Sequence, residues 1–338
     1  MFANNNITLY GIQNQTEKYF WICYLITILM SALFGDTIIL IASAKYNAFK
    51  LNKFIIVVLQ HMAVCDLILS VSYVLPPIIS MIADKWILGE FLAYIVKGFI
   101  YLTYPMSTLL ICVLATSKLL ILQYPLKFKT CPKKKAHLIC TLCWLLSALN
   151  PLVVFIKSYY ENHDFIFNYQ TYDIYYKKGK VTGLVLGSLY CLATIIIILA
   201  TISTLRFLHK AKRLSQKVRR GGTIRWQGIF TVVLTATIFS ISTIPWIVYE
   251  MIEPYVEENL TEHVQSQLKR ITTYITMINV MANFYIYTFS VPSFRNFLYS
   301  TIWSIFSNFS SSISCKQNLV AIHAENDHVC KKTEQHSV

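Results

Sequence analysis

Residues 54–83 read FIIVVLQHMAVCDLILSVSYVLPPIISMIA. Apart from His61, Asp66 is their only acidic or basic residue. An α-helix needs about 20 predominantly apolar residues to cross about 30 Å of hydrocarbon. In lipid every backbone N–H and C=O also has to be paired inside its own segment. This stretch therefore predicts a helix that spans a membrane.

The chain contains seven stretches of this kind, and four of them have no Asp, Glu, Lys or Arg. The composition agrees, with 55% hydrophobic residues and only 14% charged residues. We expect an all-α integral membrane protein whose residues 19–293 form a bundle of seven transmembrane helices. The predicted spans are Tyr19–Ala44, Phe54–Ala83, Phe91–Gln123, Leu138–Ile156, Val181–Leu205, Gly228–Tyr249 and Ile271–Ser293.

The basic residues are distributed unevenly about these spans. The net charge of +14 could suggest nucleic-acid binding, but most Lys and Arg follow spans one, three, five and seven, above all in residues 206–225. Cytoplasmic loops carry such an excess, and the inner leaflet is anionic. Topology therefore accounts for the charge: the N-terminus is predicted outside, the C-terminus inside, the plasma membrane is the expected location, and no nucleic-acid partner is expected.

The two ends of the chain differ in character. Residues 1–18 are polar and are predicted to form an extracellular N-terminus, because they lack the features of a signal peptide. N-glycosylation sequons on the predicted outer side begin at Asn6, Asn14 and Asn259.

After the last span, residues 294–306 are predicted to form a short amphipathic eighth helix beside the membrane, and residues 307–338 a disordered cytoplasmic tail. Cys315 lies in this tail, close enough to the membrane for palmitoylation. A free thiol is the alternative.

Ordered landmarks inside the spans connect the chain to a known family. They are Gly35-Asp36, His61-Met-Ala-Val-Cys-Asp66, Trp86-Ile-Leu-Gly89, Tyr124-Pro125-Leu126, Trp144, Phe239 with Pro245, and Asn279-Val-Met-Ala-Asn283-Phe-Tyr-Ile-Tyr287. Because these landmarks occur in this order and on these helices, the chain resembles the rhodopsin-like (class A) G-protein-coupled receptors over roughly residues 20–306. The resemblance implies a cell-surface receptor that binds an extracellular ligand and signals to a heterotrimeric G protein.

The sequence also departs from the family pattern. The family's Asp-Arg-Tyr triplet falls on Ser117-Lys118-Leu119, and the cysteine that tops its third helix falls on Ala93. Residues 157–180 contain no cysteine that would pair with it. The family's Asn-Pro-x-x-Tyr motif reads Asn283-Phe284-Tyr285-Ile286-Tyr287 here. These changes leave membership intact but put ordinary coupling in question.

The resemblance implies a sodium site within the bundle. Oxygen ligands suit a small hard cation, and two nearby carboxylates cannot both ionise without a large cost unless a cation or a proton is present. A hydrogen-bonded network without an ion is the alternative. The residues concerned are Asp36, Asp66, Ser107, Asn279 and Asn283.

Helical spacing and the resemblance place a candidate ligand pocket in the outer halves of helices three, six and seven. Lys97 and Glu250 either pair with each other or bind opposite ends of a charged ligand. The acidic residues from Glu250 to Glu262 favour a cationic peptide, or form a solvated loop. The candidate lining comprises Lys97, Ile100, Tyr101, Tyr104, Trp246, Ile247, Glu250, Lys269, Thr273 and Met277.

The resemblance also assigns the candidate residues of the conformational switch and of G-protein coupling. Lys118 stands where the family has the arginine that meets the G protein; reaching toward lipid headgroups is the alternative. Pro245 is expected to kink helix six because it lacks an N–H. The full set is Lys118, Phe239, Pro245, Asn283 and Tyr287.

Two other classes of function remain open on the sequence alone. A decoy or scaffold would bind ligand without signalling, and a transporter or channel would pass a substrate through the membrane. No metalloprotease, phosphate-loop or nucleophile motif occurs, so we expect no enzyme activity and no cofactor other than the sodium ion.

Overall fold

A computed structural model of the chain describes residues 15–44, 52–129, 132–161, 166–168, 173–175, 180–218, 226–256, 262–304 and 307. Nearly all of these residues are helical, and the first six predicted spans lie within helical structure, whereas the seventh runs three residues past the end of its helix at Ser290. The helices are α1 (Gln15–Ala44), α2 (Lys53–Leu69), α3 (Leu75–Ala83), α4 (Gly89–Gln123), α5 (Pro125–Lys129), α6 (Lys133–Glu161), α7 (Lys180–Val218), α8 (Trp226–Val256), α9 (Glu262–Ser290) and α10 (292–304).

Five of these helical spans, namely α1, α2 with α3, α4, α6 and α7, contain a segment long and apolar enough to cross a membrane, counted over the described residues. Helix α8 carries a shorter apolar segment, Val233–Tyr249. Large apolar side chains such as Leu145, Leu199 and Phe289 are more than half exposed on the outside of the bundle. Water would penalise such a surface, whereas lipid accommodates it.

The second span is not one regular helix. A π-helical turn, Ser70–Val74, joins α2 to α3. Pro76 and Pro77 follow at once, and neither has an N–H for the ladder. The hydroxyls of Ser70 and Ser72 donate to the carbonyl oxygens of Leu67 and Ile68, each at 2.8 Å. The two hydroxyls thus bond to carbonyl oxygens at the end of α2, where the π-helical turn begins.

The buried apolar side chains form an inner and an outer core. The inner core joins α1, α2, α4 and α6 to α10 around residues such as Leu59, Leu110 and Phe239. The outer core joins α1, α2, α3 and α9 around residues such as Leu25 and Tyr274. Buried polar side chains, among them Asp66, Ser107 and Asn283, lie between the inner and the outer core and form the candidate site.

Helices α1 and α9 approach each other closely at Gly35. A Cβ atom at this position would lie 2.4 Å from Phe284 Cβ and 2.5 Å from Phe284 Cγ. Real carbon atoms do not approach so closely, so the ring of Phe284 fits only because residue 35 has no side chain. The phenylalanine that replaces the family's proline is thus accommodated by a glycine on the neighbouring helix.

A short antiparallel pair between α6 and α7 is an addition that the sequence did not predict. Strand β1 (Ile166–Asn168) pairs with β2 (Asp173–Tyr175), with Phe167 opposite Ile174. The pair lies on the outer side of the bundle, where α6 ends and α7 begins.

Candidate functional site

A hydrogen-bonded polar centre lies in the middle of the bundle. Asn283 Nδ2 of α9 donates to Asp66 Oδ2 of α2 at 2.6 Å, and both side chains are buried. The Ser107 side chain of α4 is a second hydrogen-bond partner of Asp66. Three helices thus converge on one carboxylate, and all three residues belong to the set that the family positions named.

This centre borders a small cavity, which we call the polar cavity. Three of the predicted sodium ligands, Asp66, Ser107 and Asn279, lie on its wall. The complete lining is Asp66, Leu69, Tyr73, Tyr104, Ser107, Thr108, Phe239, Thr276, Asn279 and Val280.

Asp36 stands beside the polar cavity without lining it. Its side chain is 1% exposed, and neither carboxylate oxygen has a hydrogen-bond partner among the residues that the structure describes. Its charge interacts with that of Asp66. Two buried carboxylates at interacting range require a proton or a cation. Carboxylate, amide and hydroxyl oxygens are the ligands that a small hard cation prefers, so these residues fit a sodium ion.

Three aromatic rings, which we call the aromatic trio, pack together above the polar cavity. Tyr104 of α4 lies 4.7 Å from Trp246 of α8 and 5.4 Å from Tyr190 of α7, measured between ring centroids. Tyr190 and Trp246 are 5.5 Å apart. Because Tyr104 also lines the polar cavity, this ring connects the outer pocket to the polar centre.

The other predicted pocket residues occupy several environments. Lys97 and Ile247 are buried, whereas Tyr101, Lys269 and Thr273 are half-buried. Ile100 and Met277 contact the outer core beside α1 and α3. Glu250 belongs to α8, but its side chain lies outside the described residues. The predicted pairing of Lys97 with Glu250 therefore stays a prediction.

The predicted switch residues are spread along the bundle, from the level of the aromatic trio to the inner end of α4. Phe239 is buried and lines the polar cavity. Tyr287 is fully buried on α9, one turn after Asn283, and Pro245 lies within α8. Lys118 is 8% exposed and lines a second small cavity between α4, α7 and α8. We call this second space the inner cavity.

Sequence reasoning missed the ion pairs that hold the outer end of α1. Arg270 of α9 is 2% exposed, and its Nη2 donates to Glu17 Oε1 of α1 at 2.6 Å and to Gln267 Oε1. Trp21 Nε1 donates to the same Glu17 oxygen at 3.2 Å. Lys18 Nζ lies 2.5 Å from Asp84 Oδ1, just after α3.

A chain of hydrogen bonds between α2 and α6 also escaped the sequence reasoning. Trp144 Nε1 donates to His61 Nδ1 at 3.2 Å. His61 Nε2 lies 3.3 Å from His137 Nδ1. The two histidines are far apart in the sequence, so no local spacing indicated that they meet.

The predicted modification sites Asn6, Asn14, Asn259 and Cys315 lie outside the described residues and stay predictions. The six cysteines that the structure does describe are free thiols.

Comparisons with known proteins match most of the chain. The family model of the seven-transmembrane receptors of the rhodopsin family matches residues 35–287. A QRFP-like peptide receptor from Branchiostoma floridae is 20% identical over 310 residues, which cover 88% of this chain and 78% of that receptor. The crystal structure of squid rhodopsin matches with a TM-score of 0.70 at 14% identity, over 86% of this chain and 87% of that one.

The family match covers most of the chain, including α2, α4 and the Asn283–Tyr287 motif that build the polar centre. At 14% identity, the likeness to squid rhodopsin shows the fold alone. These matches do not favour a decoy, a transporter or a channel. The chain belongs to the rhodopsin-like family of seven-transmembrane receptors and is a multi-pass G-protein-coupled receptor of the plasma membrane, not an enzyme.

Proposed function

We propose that this receptor binds a cationic peptide in its outer pocket and transmits binding to a heterotrimeric G protein through the inner end of α4. The observation that carries this proposal is the position of Tyr104, whose ring belongs to the aromatic trio and also lines the polar cavity. A ligand that displaces Trp246 therefore acts on a side chain that contacts the polar centre.

The peptide class is supported by charge and by a relative. The outer end of α8 and the segment after it carry Glu250, Glu253, Glu257, Glu258 and Glu262. Such a cluster raises the local concentration of cationic ligands. The similar protein from Branchiostoma floridae is described as a peptide receptor.

Helix α8 is the proposed moving part. It contributes Trp246 to the aromatic trio, Phe239 to the polar cavity and Thr235 to the inner cavity. Pro245 leaves one backbone carbonyl without its usual donor, which makes bending at this level less costly. A tilt of α8 at this point changes all three sites together.

The inner end of α4 supplies the contact for the G protein. Lys118 presents a single ammonium group, where the family's arginine presents a planar group with several donors. We expect it to bind a carbonyl or carboxylate of the partner once α8 moves away.

We also propose that the polar cavity holds Na⁺ between Asp66, Ser107 and Asn279, with Asn283 orienting the Asp66 carboxylate. Asp36 supports this assignment through its charge, because its carboxylate interacts with that of Asp66 and has no hydrogen-bond partner among the described residues, so a cation beside Asp66 would compensate both. Removing sodium should raise basal activity in the wild type, and Asp66→Asn should abolish that dependence. An equal response to sodium in both proteins would contradict the assignment.

The coupling proposal is tested by basal G-protein activation across subtypes in cells. We expect a signal in the wild type that Lys118→Ala removes and Lys118→Arg keeps or increases. No signal in either the wild type or Lys118→Arg, at equal surface expression, would contradict coupling through this position.

The ligand proposal is tested with a library of basic peptides. Glu250→Gln should weaken the most potent peptide, and more so at low salt, because screening reduces the wild-type attraction. Trp246→Ala should abolish the response, whereas Trp303→Ala is the control, since Trp303 is exposed on α10. If neither Glu250→Gln nor Trp246→Ala changes the potency of the peptide, the proposed pocket is wrong.

A further inference from the structure

Three ring side chains join α2 to α6, and we call them the histidine latch. Trp144 Nε1 of α6 donates to His61 Nδ1 of α2 at 3.2 Å. His61 Nε2 lies 3.3 Å from His137 Nδ1 of α6. Trp144 and His137 are about two helical turns apart and therefore lie on one face of α6. A single ring of α2 thus bridges two turns of α6.

The indole nitrogen fixes the direction of both hydrogen bonds. An indole N–H only donates, so His61 Nδ1 is an acceptor and carries no proton. A neutral imidazole has one N–H, so the proton of His61 is on Nε2 and is donated to His137 Nδ1. The proton of His137 is therefore on its own Nε2. Both imidazoles are neutral in this arrangement.

Protonation of either imidazole breaks the histidine latch. A proton added to His61 Nδ1 faces the N–H of Trp144. A proton added to His137 Nδ1 faces the N–H of His61. In each case two donors stand opposite each other, because a histidinium ring has two N–H groups and no acceptor. The complete latch therefore requires that both rings stay neutral.

The histidine latch lies near the inner end of α6. His137 is exposed and His61 is half-buried. The exposed Lys134 precedes His137 on the same helix by about 4.5 Å along the axis. Lysine ammonium groups near the ends of membrane helices reach the headgroup region. His137 therefore lies at the inner boundary of the membrane, where protons from the cytoplasm reach it.

We propose that the histidine latch is a pH-sensitive link, which holds α6 against α2 at neutral cytoplasmic pH and opens when the cytoplasm becomes acidic. An ordinary imidazole takes up its second proton near pH 6.5, within the physiological range. The closed latch binds fewer protons than the open latch. Its stability is therefore present above this range and is lost as the pH falls through it.

A zinc ion between the two histidines is the competing interpretation of the same distance. Two ligand nitrogens at about 2.0–2.1 Å from Zn²⁺ in a tetrahedral site lie a little over about 3 Å apart. Ligation would need a lone pair on both facing nitrogens, which moves the proton of His61 to Nδ1, opposite the N–H of Trp144. The described residues also contain no group of three or more His, Cys, Asp or Glu side chains suited to a metal. The hydrogen bond from Trp144 thus favours a proton sensor.

Other charged groups on the surrounding helices have to be separated from the histidine latch in any measurement. Among the described residues, the charge interaction that acts on His61 comes from His137. Asp66 follows His61 by five residues, which places it about 140° around α2. The charged residues at the middle and inner levels are Asp36 of α1, Lys53 and Asp66 of α2, Lys118 of α4, Lys127 of α5 and the lysines at 133–135 of α6. A variant that keeps all of them and replaces only the two imidazoles isolates the latch.

Opening the histidine latch has a consequence for signalling. Helix α2 also holds α5, because Asn52 Nδ2 donates to the Phe128 carbonyl at 3.2 Å and the Phe54 and Phe128 rings lie 5.8 Å apart. Once the latch opens, the contacts to α5 remain but the bonds to α6 are lost. The inner surface beside Lys118 then becomes less ordered, so activation of the G protein falls. This consequence rests on the proposed coupling role of Lys118, but the latch itself does not.

The latch is tested by thermal unfolding of the full-length receptor in phosphatidylcholine nanodiscs at about pH 7.5 and about pH 5.5. The double variant His61→Gln with His137→Gln keeps a donor and an acceptor at each position but does not titrate. Each excluded proton changes the unfolding equilibrium about tenfold at one pH unit below the ordinary histidine value. We therefore expect the unfolding temperature of the wild type to fall by about 2–4 °C more than that of the double variant.

His209→Gln is the matched control for this measurement, because His209 is exposed on α7, away from the histidine latch. It should keep the full pH response of the wild type. Equal falls of the unfolding temperature in the wild type and the double variant would overturn the proposal.

Nitrogen NMR on the wild type keeps the proposal testable if the double variant fails to fold. With ¹⁵N in histidine and tryptophan, a through-space signal between an indole N–H and an imidazole nitrogen identifies His61 among the eight histidines. At about pH 7.5 its proton should be on Nε2, and at about pH 5.5 the signal should disappear as both latch rings become cationic. A proton on His61 Nδ1 at neutral pH, or a signal that persists in acid, would each overturn the latch.

Two further measurements separate the latch from a metal site and from the coupling proposal. Zn²⁺ should not raise the unfolding temperature, and a saturable rise that the double variant loses would replace the proton sensor with a zinc site. Nucleotide exchange by purified G protein should fall in acid more strongly with the wild type than with the double variant. Equal falls would overturn only the signalling consequence, and exchange that is absent at every pH would contradict the coupling proposal while the NMR result on the latch stands.

Discussion

Each of two sides of the bundle contains a buried cation, and the two cations have different surroundings. On the side formed by α1, α3 and α9, Arg270 is 2% exposed and is held by Glu17 and Gln267. On the side formed by α4, α7 and α8, Lys118 is nearly as buried and borders a cavity. We call these the fixed side and the cavity side.

From this difference we infer which side of the receptor changes shape. A buried charge that is already paired resists separation, because moving one partner leaves the other without compensation. Two further contacts hold α1 against α9 on the fixed side. Gly35 lies close to Phe284, and Tyr24 Oη donates a hydrogen bond to the Tyr274 carbonyl at 2.9 Å. The cavity side contains the inner cavity, Pro245 in α8, and the buried cation Lys118 on the cavity wall.

The largest effect is expected from breaking the fixed ion pair with Glu17→Gln. Breaking a buried pair costs about 3–5 kcal/mol, but Glu17 is 38% exposed, so we expect about 2 kcal/mol. Thermal unfolding in detergent measures this loss. The double variant Glu17→Gln with Arg270→Met should recover part of it, and an unfolding temperature of Glu17→Gln equal to the wild type would contradict the account.

A similar loss is expected when the close approach of α1 and α9 is blocked. Gly35→Ala places a Cβ 2.4 Å from Phe284 Cβ, and overpacking of this kind costs about 1–3 kcal/mol. The control is Gly98→Ala, whose Cβ would meet only the ring edge of Phe155 at 3.3 Å. Equal unfolding temperatures for the two alanine variants would count against the fixed contact.

A gain in stability is expected from one substitution on the cavity side. The Thr243 hydroxyl is buried and has no hydrogen-bond partner among the described residues. Thr243→Val removes that unsatisfied group at nearly constant volume, so stability should stay equal or rise by up to about 1 kcal/mol. Thr235→Val removes a bond to the Thr231 carbonyl and should not stabilise. A clear loss for Thr243→Val would contradict this description.

The smallest effect is expected at the exposed ion pair of the fixed side. Asp84 is 67% exposed and adopts a left-handed conformation with φ 54°, which asparagine also tolerates. Asp84→Asn therefore isolates the charge, and we expect a loss below about 1 kcal/mol that disappears at high salt. A loss as large as that of Glu17→Gln would erase the distinction between buried and exposed pairs.

Much of the fold and part of the site could be predicted from the sequence. Apolar runs locate the spans, since lipid requires them, and the four-residue spacing of Asn279 and Asn283 places both on one face of α9. Contacts between distant segments leave no such local pattern, which is why the pairing of Glu17 with Arg270 and that of His61 with His137 were missed.

Helix rotation explains another limit of the sequence reasoning. Ile100 and Met277 belong to the predicted pocket faces, and in the structure both pack against the outer core beside α1 and α3; their part in a ligand pocket stays a prediction. A rotation of a few tens of degrees about a helix axis decides between these environments, and periodicity does not fix it to that precision. The order of family landmarks located Phe284, but it gave no indication that Gly35 makes room for its ring.

The central claim is that α8 moves on the cavity side while the fixed side stays in place. Pulsed electron spin resonance on the full-length receptor, with and without bound nucleotide-free G protein, measures this directly. Spin labels on incorporated unnatural amino acids avoid the nine cysteines. One pair joins Thr237 of α8 to Leu138 of α6, and the other joins Ile41 of α1 to Phe289 of α9, all exposed positions. We predict that the first distance lengthens and the second does not change. An unchanged first distance, or equal changes in both, would contradict the account.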